Sequence, residues 1–573
     1  MFSRRGFLHA AAAGALLGAA RGAGREHLRE FTYADVQLTG GPLKRQYDWV
    51  HAHFLSLDND RLLKVYRQRA GLPAPGDDMG GWYDADGFVP GHTIGQYISG
   101  LARMYATTRH PATLAKVKAL VGGYAATLGA DGYPYASEKA AVTWPCYILD
   151  KYVVGMLDAH RLAGVAAGRE LLPRIIRGAI GHIPDHTYDR TPDSPKQAPY
   201  DEPYILPENL FYSYEATGDP QWLAMARLYL LNREYFDPLA QGKNLLPGKH
   251  AYSHVIALSS AAKAYEVLGD EKYLRAIRNA WDMIEETQQF ASGGWGPKEA
   301  FVPPHEGKLG ESLTAHREHF ETPCGCYAHM KLARYLLRFT GDPRYGDGLE
   351  RVLYNTILGS IEPSNNGDYF YYSDYQSGAR KGYYKKKWPC CSGTLVQGVA
   401  DYAVSIYFQD SSGVYVNLFA PSEVRWNSGG VPVRLTQSTA YPNGDALELR
   451  VDVPKPAEFA IHVRMPGWLS GAAAIRVNGK SVDVAAERRT FATIRRLWRK
   501  NDTVEVKLPF GDRTEAIDDR HPDTVALMRG PLMMVAVNAP DGTPDIAAPG
   551  LRFAPFYAVR SESYTTYFKK RLE

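Results

Sequence analysis

Two short stretches of this 573-residue chain concentrate groups able to do chemistry. They are Glu321-Thr322-Pro323-Cys324-Gly325-Cys326 and Trp388-Pro389-Cys390-Cys391-Ser392-Gly393, which together hold four of the five cysteines. Each opens an expected helix: Thr322 and Pro323 read as N-cap and first helical residue ahead of 327–339, and Pro389 leads into 395–407. A helix N-terminus is electropositive and favours the thiolate, which is both the nucleophile and the metal ligand. Glu321 adds a hard oxygen donor beside soft sulfurs, and one Glu with three Cys is enough to hold a zinc ion. The pattern alone leaves three readings open: a metal centre, a disulfide of the kind exported proteins carry, or buried small hydrophobes. Cys146, in Trp144-Pro145-Cys146-Tyr147, reads as a buried structural residue.

The elements that must position these groups follow from a recurring landmark. Ala216-Thr217-Gly218-Asp219, Val267-Leu268-Gly269-Asp270 and Phe339-Thr340-Gly341-Asp342 end one amphipathic helix and begin another, with Gly as the left-handed stop and Asp as the next cap. The repeat of about 50 to 55 residues lengthens once, across the segment holding Glu299 to Cys324, which reads as an inserted active-site loop. Five or six helical hairpins repeated in this way close into an (α/α) toroid or stack as a solenoid, and a toroid better suits one enclosed pocket. This region is expected over 25–407. Short alternating segments from Val414 to Met528, with a hairpin turn at Asn478-Gly479, predict a β-sandwich over 408–538. A Pro/Gly-rich tail, 539–573, is expected to pack back on the other domains.

Ser3-Arg4-Arg5-Gly6-Phe7-Leu8 and the apolar run after it read as a twin-arginine signal peptide over 1–24. A soluble periplasmic or secreted bacterial protein is the expectation, and no other apolar run is long enough to span a membrane. The net charge of +4 comes without a basic stripe, so nucleic acid is not an expected partner. The 38 Tyr and 10 Trp suit stacking on sugar rings, and a glycoside is the expected partner.

The motifs Gly91-His92-Thr93-Ile94-Gly95-Gln96-Tyr97, Gly293-Gly294-Trp295-Gly296-Pro297-Lys298-Glu299, Glu321-Thr322-Pro323-Cys324, Arg351-Val352-Leu353-Tyr354-Asn355 and Cys390-Cys391, in that order, resemble glycoside hydrolase family 127. That family comprises zinc-dependent β-L-arabinofuranosidases with an (α/α)6 barrel followed by β-sandwich domains. The resemblance implies that Cys390 is nucleophile and zinc ligand, with Glu321, Cys324 and Cys391 completing the metal site. It also implies a retaining mechanism through a covalent thioglycosyl intermediate. The implied acid/base is Glu299, which keeps the glycine-rich anchor, with Glu311 in a Gly-Glu pair as the second candidate. His92, His250, His254 and Tyr371 are the implied sugar contacts; His250 and His254 lie four apart and are expected on one helix face. The chain departs from the family's Glu-Thr-Cys pattern by Pro323 and by the added Cys326, so Cys326 is an alternative ligand to Cys324, and the sugar need not be L-arabinofuranose. Two competing functions use the same framework: a metal-independent polysaccharide lyase or unsaturated-uronide hydrolase, and a secreted non-catalytic carbohydrate-binding protein.

Overall fold

The computed structural model describes residues 25–190, 201–540, 542 and 544–570. The signal segment read at 1–24 lies outside the described residues.

Twelve helices among the described residues build the larger body: α1 Gly41–Ser56, α2 Ile94–Thr108, α3 Pro111–Thr127, α4 Pro145–Ala163, α5 Ala166–Ala179, α6 Pro207–Thr217, α7 Pro220–Tyr229, α8 Ala251–Leu268, α9 Glu271–Thr287, α10 Thr322–Thr340, α11 Arg344–Asn355 and α12 Cys391–Ala400. The even-numbered helices form an inner ring in which each packs on the next and α12 closes back on α2; the odd-numbered ones surround it. This is the expected (α/α)6 toroid.

Burial explains the two rings. In α8 every residue from Ala251 to Tyr265 is buried, so over this span the helix presents no face to solvent. Outer α9 buries only Tyr273, Ala276, Ile277, Ala280, Trp281 and Ile284, a single stripe at helical spacing. Gly164, Gly218, Gly269 and Gly341 end α4, α6, α8 and α10 in the left-handed region, with φ of 67°, 73°, 76° and 68°. The carboxylates of Asp219, Asp270 and Asp342 then accept the amides of Gln221, Lys272 and Arg344. Because most inner helices precede their antiparallel outer partners, the inner helices run in one direction and their N-termini meet at one end. Gly95 is required where α2 crosses α4: a Cβ there would lie 1.8 Å from the Lys151 carbonyl oxygen.

The sandwich pairs a five-stranded sheet with a seven-stranded one, joined by Trp426 packed against Phe31 and Phe459. Two of its strands come from the N-terminus, where a helical pattern was expected. Arg29–Glu30 pairs with Tyr407–Gln409, and Val36–Leu38 pairs with Ser422–Ser428. Strands this short carry no readable period. The segment around Val525–Met528, expected in the sandwich, lies instead in a third sheet. Its strands are Asp512–Ala516, Thr524–Arg529, Leu532–Val537, Phe553–Pro555, Tyr564–Thr565 and Tyr567–Lys569. Half of that sheet is drawn from the segment read as a tail. It also braces the toroid's loops: Tyr564 Oη donates to the Asp374 carbonyl at 2.7 Å, and the Ala291 amide donates to Tyr567 Oη at 2.9 Å.

The sandwich is fixed to α11 by Arg464, whose side chain is wholly buried and binds Asp347 and Glu350. The Arg351–Asn355 motif ties α11 to the third sheet rather than lining the pocket. Arg351 holds the Ala291 carbonyl, and Asn355 exchanges hydrogen bonds with the backbones of Pro531 and Met533.

Candidate active site and metal centre

Glu321 is the N-cap of α10 and Cys324 lies in its first turn; Cys390 is the N-cap of α12 and Cys391 its first residue. The parallel inner ring therefore brings the two stretches together. Cys324 Sγ lies 3.5 Å from Cys390 Sγ and 3.5 Å from Cys391 Sγ, and Glu321 Oε1 lies 3.3 Å from Cys390 Sγ and 3.8 Å from Cys391 Sγ. Glu321 is set by a short strand, Phe320–Glu321 against Tyr372–Ser373, and by the Thr322 amide donating to the Tyr371 carbonyl at 2.7 Å. All five cysteines are free thiols, which removes the disulfide reading. Cys326 stands two residues past Cys324, roughly 200° around the helix, and turns to Thr356 Oγ1 at 2.7 Å. It does not replace Cys324.

The donor set fits zinc. A tetrahedral ion with sulfur at about 2.3 Å and oxygen at about 2.0 Å needs donor–donor edges of about 3.5 to 3.8 Å, and the four contacts run from 3.3 to 3.8 Å. Glu321 Oε2 is buried without a hydrogen-bond partner. Three thiols and a carboxylate this close hold their negative charges together only against a cation.

Above the cluster is a cavity of about 340 Å³ lined by Trp82, Phe88, Val89, Trp144, Tyr147, Arg190, Glu202, His250, Tyr252, Glu299, Glu321, Tyr371, Tyr384, Lys386 and Cys390. Of the cluster's thiols only Cys390 reaches it; Cys390 is 7% exposed and Cys324 and Cys391 are 0%.

Glu299 arrives on the glycine-rich loop. Gly293 and Gly296 turn the chain at φ of 83° and 78°, the Lys298 amide donates to the Glu318 carbonyl, and His250 pairs through its backbone with Ala300. His250 Nε2 is consequently 3.3 Å from Glu299 Oε2, while Tyr371 Oη at 2.9 Å and Tyr372 Oη both donate to Glu299 Oε1. Lys298, Glu299 and Trp388 hold φ of 52°, 63° and 51°, a strain of about 1–3 kcal/mol each placed on both sides of the cavity.

The other candidates divide. Glu311 is not on the cavity wall: it sits in the short helix Lys308–Ala315, exposed and paired with Lys308. The glycine before it faces the third sheet, with the Gly310 amide on Asp518 at 2.7 Å. His254 is also displaced. His250 has extended backbone as the N-cap of α8 and so is not on the helix; its partner at four residues turns inward to Asp189 at 2.8 Å. His92 stands one layer behind the wall, its ring near those of Trp82 and Tyr147. Its Nδ1 donates to the Val89 carbonyl at 2.6 Å, which leaves Nε2 as a buried acceptor without a partner. Tyr371 is on the wall, 3.7 Å from Cys390 Sγ.

Sequence reading missed Glu202, which binds Arg190 and His250, and the aromatic wall of Trp82, Trp144, Tyr147 and Tyr252. A signal was available: Trp144 and His250, like Glu321 and Cys390, directly precede inner helices, and Glu202 opens the turn before α6.

Charge is unevenly spread. Burial pushes the Cys390 thiol up, but hydrogen bonds from Cys324 and Cys391 outweigh it and hold the group well below the usual thiol range. Burial drives Cys324, Cys391 and Glu321 upward. Burial would also raise Glu299, yet His250 and the two tyrosines bring it down to about 2. Burial and Arg190 oppose a charge on His250, and hydrogen bonds to Glu202 and Glu299 overcome them, so its pKa is raised. The His250–Glu299 pair thus carries one proton, on the imidazole. His92, lowered to about 4 by burial, is neutral.

A family profile described as "Beta-L-arabinofuranosidase, GH127 catalytic domain" matches residues 35–404, and one described as "Beta-L-arabinofuranosidase, GH127 middle domain" matches 413–510. A non-reducing end β-L-arabinofuranosidase of Bifidobacterium longum subsp. longum is 22% identical over 381 residues, 56% of this chain and 55% of the relative. The chain thus matches about half the length of that curated relative. The crystal structure of a GH127 β-L-arabinofuranosidase from Geobacillus stearothermophilus T6 superposes with a TM-score of 0.71 at 18% identity, covering 94% of this chain and 100% of the other. A GH127 β-arabinofuranosidase structure gives 0.75 at 19% identity, covering 95% and 98%. These likenesses show the fold.

Proposed function

The chain belongs to the GH127 β-L-arabinofuranosidase family, and from that premise we propose that it is a retaining, zinc-dependent exo-glycosidase acting on β-L-arabinofuranosides or a closely related furanoside. The observation that carries the reading is the shared cavity: the thiol with the lowest pKa of its cluster and a carboxylate holding a protonated histidine line the same space. The likeness to arabinofuranosidases supports the sugar class, and the volume suits one sugar ring with the start of its leaving group.

Glu321, Cys324, Cys390 and Cys391 would hold the ion, which when bound supplies the charge that keeps the thiols deprotonated at neutral pH. Cys390 Sγ attacks the anomeric carbon, and the C–S bond forms as the bond to the leaving-group oxygen breaks. That oxygen takes a proton from the His250–Glu299 pair. Sugar binding excludes water, so the proton passes from His250 to Glu299 and then to the leaving group. Glu299, again a carboxylate, takes a proton from the incoming water. The water oxygen then displaces Cys390 as thiolate and configuration is retained. Tyr371, beside both Cys390 and Glu299, orients them toward the ring.

A metal-free lyase or a binding protein leaves the Cys/Glu cluster without a role. Export by the twin-arginine route is part of the same proposal and is supported by Ser3-Arg4-Arg5-Gly6-Phe7-Leu8. The deciding experiment is incubation with 4-nitrophenyl β-L-arabinofuranoside, reading 4-nitrophenol release and, after acid quench, the mass of the Cys390 peptide. Turnover with a pentosyl adduct on Cys390 is expected; turnover with an unmodified peptide and an inverted product would reject the mechanism.

A further inference from the structure

One charged group on the cavity wall has no ion-pair partner among the described residues. The carboxylates there are all engaged: Glu202 with Arg190 and His250, Glu299 with His250 and two tyrosines, Glu321 with the thiols. Arg190 is taken by Glu202. Lys386 also lines the cavity, is exposed, and makes no ion pair among the described residues; Lys385 and Lys387 beside it are exposed too.

Lys386 is not carried on a free loop. The strap holding it is pinned ahead by the Tyr384 amide on the Tyr369 carbonyl at 2.8 Å, and by the Tyr384 ring stacked on Tyr371 at 4.4 Å. It is pinned behind by the Trp82 amide on the Lys387 carbonyl at 3.0 Å and by Trp388 Nε1 on the Met79 carbonyl at 2.6 Å. The Lys387 carbonyl lies so close to Gly81 that a Cβ there would come within 2.3 Å of it. Lys386 is therefore presented at the cavity from a backbone fixed at both ends.

The same rim carries an unusual apolar surface. Phe88 is 49% exposed and is held by Trp82 at 4.8 Å and Trp144 at 5.5 Å between ring centroids. An exposed aromatic platform beside a cation on a pinned backbone, without an ion pair among the described residues, fits a sugar ring that bears an oxyanion: the ring stacks on the aromatic face and the anion meets the ammonium. The inner wall holds the reacting groups, so this rim belongs to the leaving group.

We propose that the leaving-group side of the cavity accepts a uronate, a sugar whose ring carries a carboxylate, packed on Phe88 and facing Lys386. This rests on the glycosidase reading above and names the class of glycoside that the enzyme prefers.

The test compares 4-carboxyphenyl and 4-carbamoylphenyl β-L-arabinofuranosides, near-isosteres that differ in charge, on the zinc-loaded wild-type enzyme, Lys386→Gln and Lys386→Arg. Comparing the ratio of kcat/KM values between proteins cancels the difference in leaving-group reactivity. The carboxylate-to-amide ratio is expected to fall about fivefold in Lys386→Gln, as for an exposed ion pair. The fall should reside in KM rather than kcat, shrink in high salt, and be restored in Lys386→Arg. Equal ratios in wild type and Lys386→Gln would overturn the proposal. A 4-sulfophenyl glycoside is the third arm: a larger Lys386-dependent ratio for it than for the carboxylate would overturn the uronate assignment. Titration of the Trp82 and Trp144 fluorescence with the same glycosides reads the ratio without turnover. If neither glycoside is hydrolysed, the glycosidase reading fails by itself, and the affinity ratio still decides what the rim binds.

Discussion

His250 Nε2 faces Glu299 Oε2 at 3.3 Å because the backbones of His250 and Ala300 pair directly across the cavity mouth. With Glu299 held down to about 2 and the His250 pKa raised by its hydrogen bonds to Glu202 and Glu299, the proton the pair shares sits on the imidazole. Raising the pH through the His250 value removes that proton, so kcat/KM should fall on the alkaline side. In His250→Asn the burial of Glu299 is no longer opposed by the imidazolium, and its carboxyl rises. The alkaline limb then belongs to Glu299 itself and should move to lower pH. A pH–rate profile whose alkaline limb stays put in the variant would count against the shared proton.

The metal assignment makes a selective forecast among the cysteines. Elemental analysis should find about one zinc per chain, and chelation should abolish turnover until zinc is returned. Glu321→Gln, Cys324→Ser and Cys391→Ser should lose the ion, whereas Cys326→Ser should keep it, because Cys326 turns to Thr356. Zinc loss in Cys326→Ser alone would reverse the ligand choice.

The two candidate acids can be separated kinetically. Glu299→Gln should reduce kcat by about 10² to 10⁴-fold on a substrate with a poor leaving group. Glu311→Gln should change it less than twofold, since that carboxylate pairs with Lys308 on the surface. The opposite order would place the acid on the helix Lys308–Ala315.

Gly95 offers a test of the ring itself. An added methyl must displace the Lys151 carbonyl, 1.8 Å from the ideal Cβ position. Gly95→Ala should cost at least about 1–3 kcal/mol, seen as a lower urea midpoint with an unchanged m-value. Wild-type stability would show that α2 and α4 can separate freely.

The parts of this fold that the sequence made legible are those with local causes. The Gly-Asp turns could be read because a left-handed Gly and a capping Asp act within four residues, and both act as expected at Gly218, Gly269 and Gly341. The cysteine cluster was legible because its residue types are rare and its helix starts are marked by proline. What stayed hidden depends on distant partners. Arg29–Glu30 is a strand only because Tyr407–Gln409 lies beside it. His254 seemed to share a face with His250, but the chain enters α8 one residue later, and an N-cap does not follow the helical spacing. Glu202 stands at the turn before α6, a position shared in kind with the other site residues, but its role comes from Arg190 and His250, which are distant in sequence or on another element.

The ring closes on its last helix, and that helix carries Cys390. Contacts between α12 and α2 join residues nearly the whole toroid apart, and such contacts bear their loop-closure entropy before any packing rewards it. The thiolate cluster, which needs both α10 and α12, therefore cannot preassemble on a growing chain: Glu321 and Cys324 emerge from the ribosome ahead of the two cysteines that complete them. Reactivity is thus withheld until the topology is finished. An unfinished chain exposes the donors of α10 without those of α12, and only the packed pair of helices offers all four as a set.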